Sequence, residues 1–210
     1  MRSLMAFLAV AGLVALGNMA QAEDAKRVGD AYALGTCAVS DEKLGSMGDP
    51  LVKLVDGREV RLCCGGCSGK LESEKAALNE KLDKAMTEDQ KTHYPTDKCV
   101  NSGAPLGDSP TEFVAGNRLM KTCCGNCAAK VKADPTAAIA KLDTAAKESQ
   151  GKTYALKTCP VSGEPLGSMG DPVEVVVANR LVKLCCQGCA KGVEKDPAGV
   201  LSKVDAAAKS

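Results

Sequence analysis

The stretch Cys63-Cys64-Gly65-Gly66-Cys67 decides how this chain is read, because it occurs three times. It returns as Cys123-Cys124-Gly125-Asn126-Cys127 and as Cys185-Cys186-Gln187-Gly188-Cys189. A lone cysteine precedes each triplet: Cys37, Cys99 and Cys159, with 25, 23 and 25 residues intervening. These three sets of four account for all 12 cysteines. Cysteine confined to one repeated constellation points to soft-metal ligation, crosslinking or thiol redox chemistry.

The surroundings of the triplets repeat as well. Tyr32 to Pro50 matches Tyr154 to Pro172 at 15 of 19 positions, and the copy starting at Tyr94 is looser and two residues shorter before its hairpin. This predicts an α+β chain of three tandem small domains, at 32–86, 94–146 and 154–208. The polar stretches Thr87 to His93 and Lys147 to Thr153 read as linkers.

Each unit reads as loop, β-hairpin, helix. In the first, Leu51 to Val55 and Arg58 to Leu62 are strand-like runs around Asp56-Gly57, a two-residue turn signal. Gly116-Asn117 and Ala178-Asn179 take the same place in the later copies. The return strand leads into the triplet, and a helix follows with Leu71, Leu78 and Leu82 on one stripe. Asp134-Pro135 and Asp196-Pro197 are helix-start signals that break the later helices in two. The first unit lacks one, so its helix is expected to run unbroken to Met86.

Residues 1–22 read as a Sec signal peptide. Arg2 is followed by an apolar run from Leu4 to Leu16, and Ala20-Gln21-Ala22 fits the small-x-small cleavage rule, leaving Glu23 first. The run is shorter than the ~20 residues of a membrane-spanning helix. Arg2 is the only charge in this leader, so the remainder carries 26 basic and 26 acidic residues. That balance gives no support to a nucleic-acid or acidic-membrane partner. A periplasmic or secreted protein without a membrane anchor is expected.

A domain of this size with almost no aromatic residues cannot build much of a core. Each unit is expected to need a staple, and its four cysteines are the candidates. Residues i and i+4 or i+3 share a helical face, which sets Cys67 beside Cys63 and Cys64. The helix start also favours thiolate, the metal-binding form of cysteine. With Cys37 the set offers three or four sulfur ligands, suited to zinc in a Cys₄ site or to Cu(I) with fewer thiolates. One metal per repeat is the expectation, from Cys37, Cys63, Cys64 and Cys67, then Cys99, Cys123, Cys124 and Cys127, then Cys159, Cys185, Cys186 and Cys189.

On these residues each unit resembles the YHS and TRASH group of small heavy-metal-binding domains. That resemblance implies a treble-clef-like fold: a Cys-x-x-Cys-type knuckle, a hairpin, then Cys-x-x-x-Cys at a helix start. Cys63-x-x-x-Cys67, Cys123-x-x-x-Cys127 and Cys185-x-x-x-Cys189 fit the last part. The knuckle differs, with serine at its second position (Cys37-Ala-Val-Ser40, Cys99-Val-Asn-Ser102, Cys159-Pro-Val-Ser162), while each triplet gains a cysteine at Cys64, Cys124 or Cys186. Buffering, sequestering or handing on a soft metal, with a transport or resistance protein as partner, is what the resemblance implies.

Two other readings stay open. Exported small domains with even cysteine numbers are often disulfide scaffolds, here an interaction module with purely structural cysteines. Cys64-x-x-Cys67 and its repeats also have the spacing of thiol–disulfide oxidoreductases, although no βαβ pattern accompanies them. Arg58, Arg118 and Arg180 recur after each turn and suggest turn-side ion pairs. Tyr32, Tyr94 and Tyr154 suggest core packing, Met47 and Met169 loop positions, and His93 a solvated linker residue. No hydrolytic constellation stands out, so a non-enzymatic protein is expected.

Overall fold

The computed structural model describes residues 26–209; the expected signal peptide lies outside the described residues. Three antiparallel hairpins, each followed by helices, give the α+β class read from the repeats. They are β1 (Leu51–Val55) and β2 (Arg58–Leu62), β3 (Thr111–Ala115) and β4 (Arg118–Thr122), and β5 (Val173–Val177) and β6 (Arg180–Leu184). Both residues of every two-residue turn have positive φ, from 49° at Ala178 to 78° at Gly57. This conformation matches the right-handed twist of the paired strands.

In the first unit a 3₁₀ turn at Gly65–Cys67 leads into α1 (Ser68–Ser73) and α2 (Lys75–Lys91). The second has α3 (Gly125–Ala133) and α4 (Thr136–Gln150), and the third a turn at Gln187–Cys189, then α5 (Ala190–Lys195) and α6 (Pro197–Ala208). The Asp-Pro signals act as read: the Asp196 side chain accepts from Gly199 N–H, and Asp134 from Thr136 N–H. The first helix, expected unbroken, also breaks. Glu74 between α1 and α2 leaves helical geometry at φ −116°, ψ 21°. The break therefore belongs to the unit's shape rather than to proline.

The expected linkers are also corrected. Helices α2 and α4 run on to Lys91 and Gln150, and their last turns are working parts of the fold. Gln90 donates to the Asn117 carbonyl at 2.9 Å and accepts from Leu119 N–H at 2.8 Å. Gln150 treats Asn179 and Leu181 in the same way, both at 2.8 Å. Each long helix thus lands on the hairpin of the next unit and covers its outer face, burying Leu119 and Leu181 completely. Burial is shared between neighbours, so the core is larger than any one unit could supply.

Among the described residues no helix precedes the first hairpin to cover it. Where β4 and β6 have leucine, β2 has Glu59, which accepts from Tyr32 N–H (3.0 Å), Arg27 (2.8 Å) and Arg61 (2.9 Å). Residues 26–32 form a strap that meets all three turns. Val28 N–H donates to the Gly57 carbonyl and Asp30 N–H to that of Gly116, while the Asp30 carboxylate accepts from Ala178 N–H at 2.7 Å. Gly29 has a φ of +80° and lies so close to Gly116 that a Cβ would meet its carbonyl oxygen at 2.2 Å. Arg118, only 1% exposed, completes this hub by pairing with Asp30 and Asp143. Unit three returns to unit one through Arg61, which donates to the carbonyls of Glu194 and Lys195 at the end of α5.

The recurrent arginines make the expected ion pairs: Arg58 with Asp83, Arg118 with Asp143 and Arg180 with Asp205. Tyr32 is fully buried; Tyr94 and Tyr154 are half-buried and accept from Lys121 and Lys183 N–H. His93, read as solvated, is instead half-buried near Asp205. Met47 and Met169 are exposed loop residues as expected. Among the described residues no helix is long and apolar enough to cross a membrane.

Candidate metal centres

The turns meet at the hub, and the cysteines gather at the opposite, open end of each hairpin, six of them buried. The lone cysteine reaches the triplet through a tight knuckle. Cys37 N–H donates to the Glu42 carbonyl at 2.7 Å and Asp41 N–H returns to Cys37; Cys99 with Ala104 and Gly103, and Cys159 with Glu164 and Gly163, repeat the pattern. The knuckle is tied to the return strand by Ala38 N–H on the Arg61 carbonyl and by Val100 N–H on that of Lys121. Strand, knuckle and helix start therefore converge without help from a crosslink.

All twelve cysteines are free thiols. The sulfurs of Cys37, Cys63 and Cys67 lie within 4.8 Å of one another, as do those of Cys99, Cys123 and Cys127 and those of Cys159, Cys185 and Cys189. The closest pairs are Cys37–Cys67 and Cys63–Cys67 at 3.8 Å, Cys123–Cys127 at 3.8 Å and Cys185–Cys189 at 3.7 Å. A tetrahedral centre with metal–sulfur bonds of ~2.3 Å has sulfur–sulfur edges of ~3.8 Å. A disulfide requires ~2.05 Å. The spacing is that of ligands around an ion.

The additional cysteines flank these trios. Cys64 lies 3.9 Å from Cys63, Cys124 the same from Cys123, and Cys186 the same from both Cys185 and Cys189. Each occupies the N-cap of the following helical turn in extended geometry, without a conventional side-chain cap hydrogen bond. Helix-start N–H groups, Gly66 for Cys64, Cys127 for Cys124 and Cys189 for Cys186, still hold these thiols below their ordinary pKa.

Charge is distributed unevenly within a cluster. Burial pushes the Cys37 thiol up, but the Ser40 hydroxyl and the N–H groups of Ser40, Cys63 and Val39 outweigh it and bring Cys37 down to about 6. Cys99 and Cys159 are brought to about 6 by their own knuckles. Burial and the neighbouring Cys37 and Cys63 push Cys67 up to about 12, and Cys189 behaves likewise. Each centre thus sets a thiol of lowered pKa beside one of raised pKa, which in the middle centre is Cys123 at about 11, and binding a cation would release protons.

Sequence reading missed the use of the knuckle serines. Ser40, Ser102 and Ser162 place their hydroxyls 3.4, 3.7 and 3.3 Å from the sulfurs of Cys63, Cys123 and Cys185. Their recurrence three residues after each lone cysteine was the available signal. Missed too was Asn101, whose amide donates to the Cys127 sulfur at 3.2 Å. No protein-family profile matches the chain, and no curated protein or solved structure matches it. The geometry stands by itself.

Proposed function

We propose that this is an exported soft-metal-binding protein, buffering, sequestering or handing on zinc or Cu(I) through one site per repeat. One observation carries the reading: a thiol trio in each of the three repeats, with its sulfurs within 4.8 Å of one another and at least one pair at 3.7–3.8 Å, the edge length of a metal–thiolate polyhedron. The trios, Cys37/Cys63/Cys67 and their repeats, are the primary ligands, in the Cys-x-x-x-Cys register of the YHS and TRASH group. Cys64, Cys124 and Cys186 are the fourth ligands, taking over from the knuckle position held by serine. A bound ion would supply the crosslink between knuckle and helix; the chain's part is to present thiolates at matched distances and to bury their backs.

The test is metal titration of the full chain and its single-site variants. Cys67→Ser takes the thiol shared by both short contacts of the first trio, so capacity falls from three equivalents to two for either metal. Cys64→Ser keeps the trio and weakens zinc at that site more than Cu(I), because zinc prefers four ligands and Cu(I) accepts three. If Cys63→Ser is silent while Cys64→Ser destroys the site, the ligand register is Cys-x-x-Cys and the assignment is wrong.

A further inference from the structure

The three centres are not copies in their surroundings. In the first unit Cys37, Cys63 and Cys67 belong to the apolar core with Leu62, Leu71 and Leu78, and Val39 packs against it. In the third, Cys159 and Cys185 belong to the core with Leu184 and Val193, and Val161 packs against it. The core of the middle unit, built on Val100, Met120, Val131, Ala138 and Leu142, contains no cysteine. Cys123 is exposed there, whereas its counterparts Cys63 and Cys185 are 5% and 2% exposed. The position of Val39 and Val161 is occupied by Asn101, which donates a hydrogen bond to Cys127. That donor gives the Cys127 sulfur a polar partner at 3.2 Å where the outer units have a valine.

From these differences we infer that the middle centre is the exchange port of the array and the outer two are its retaining sites. The inference rests on the metal-binding reading above. Its partner is a thiol-bearing acceptor, either a small thiol or a cysteine ligand of another protein, that reaches the ion through the side occupied by Cys123. In the exchange step the acceptor thiol loses its proton as its sulfur bonds the ion, the bond from the ion to Cys123 breaks, and the Cys123 thiolate takes up the proton. No electrons change hands. At the outer centres the counterparts of Cys123, Cys63 and Cys185, are buried and offer no comparable side for attack.

The full chain, reconstituted with zinc and in parallel with Cu(I), is mixed with a chromophoric chelator in stopped flow, with reduced glutathione as the added thiol. One equivalent is expected to leave at least about tenfold faster than the other two, with a rate that rises with glutathione. Cys123→Ser, a change outside the core, removes the fast equivalent and leaves two slow ones. Asn101→Val slows the fast phase, and Val39→Asn creates a second fast phase from the first unit. Three equivalents leaving at one rate, or a fast phase that survives Cys123→Ser, overturns the inference while the metal-binding reading stands. A chain that retains neither metal overturns both.

Discussion

The two ends of every hairpin are built on different physics. At the turn end, three turns, the strap and the last turns of α2 and α4 interlock through buried side chains, with Arg118 between Asp30 and Asp143 at the centre. At the open end, sulfurs 3.7–3.9 Å apart face one another and no covalent link joins them. The hub is held by protein groups, with the buried Asn179 Oδ1 left without a hydrogen-bond partner, whereas the cysteine ends are arranged for something that binds between them. On the reading proposed above, stability resides mainly in the first region and metal binding in the second.

The sharpest way to break this division is to attack the hub. Arg118→Met leaves Asp30 buried beside no guanidinium, and a loss of about 3–5 kcal/mol is expected in urea unfolding. All three units should melt together, because the strap meets all three turns. A loss confined to the middle unit would show that the hub does not couple them. Leu119→Ala empties a fully buried position under α2 and should cost about 2–5 kcal/mol in the same measurement. A change below about 0.5 kcal/mol would mean that α2 does not cover the second hairpin.

Chelation under reducing conditions sharpens the comparison from the other side. Amide exchange should accelerate in the knuckles, at Cys37, Cys99 and Cys159, while Leu119 and Leu181, held by Gln90 and Gln150, keep their protection. Sequence alone suggests the opposite, that each unit unfolds without metal, because it shows three poor cores and not the shared one. Protection lost everywhere would restore that view.

The smallest effect concerns acid. Burial pushes Glu59 up, but Tyr32 N–H, Arg27 and Arg61 outweigh it and hold its carboxyl below the ordinary value. A depressed carboxyl stabilises the fold above its unfolded pKa and loses that contribution as pH falls through the folded value. The strap should therefore loosen in acid, below the ordinary glutamate range of about 4.3. Glu59→Gln should lower stability by about 1 kcal/mol near neutrality and flatten this part of the acid profile. An unchanged profile would remove Glu59 from the account of the strap.

Hairpins, turns, Asp-Pro starts and cysteine sets were legible because each rests on local chemistry repeated at a period of about 60 residues. The hub was not. Gln90 and Gln150 recur at that period, as do Asp83, Asp143 and Asp205, yet polar residues near helix ends read equally well as solvated linker. Only the landing of one unit on the next gives them partners. Glu59 at the position of Leu119 and Leu181 carried the hint that the first hairpin is covered by something other than a helix. At the centres the thiols were legible, but their inequality was not. The contact of Asn101 with Cys127 spans 26 residues, and Val39 and Val161, at the same position in the outer units, pack against cores that hold Cys63 and Cys185, 24 residues further on.

Native mass spectrometry of the protein purified from its native source tests the central claim most directly. Bound metal appears as excess over the sequence mass, and disulfides appear as a deficit of two hydrogens per bond. The account predicts up to three metal ions per chain with the twelve cysteines unlinked, and two per chain after Cys67→Ser. A metal-free chain carrying six disulfides would contradict it and make the cysteines a structural scaffold.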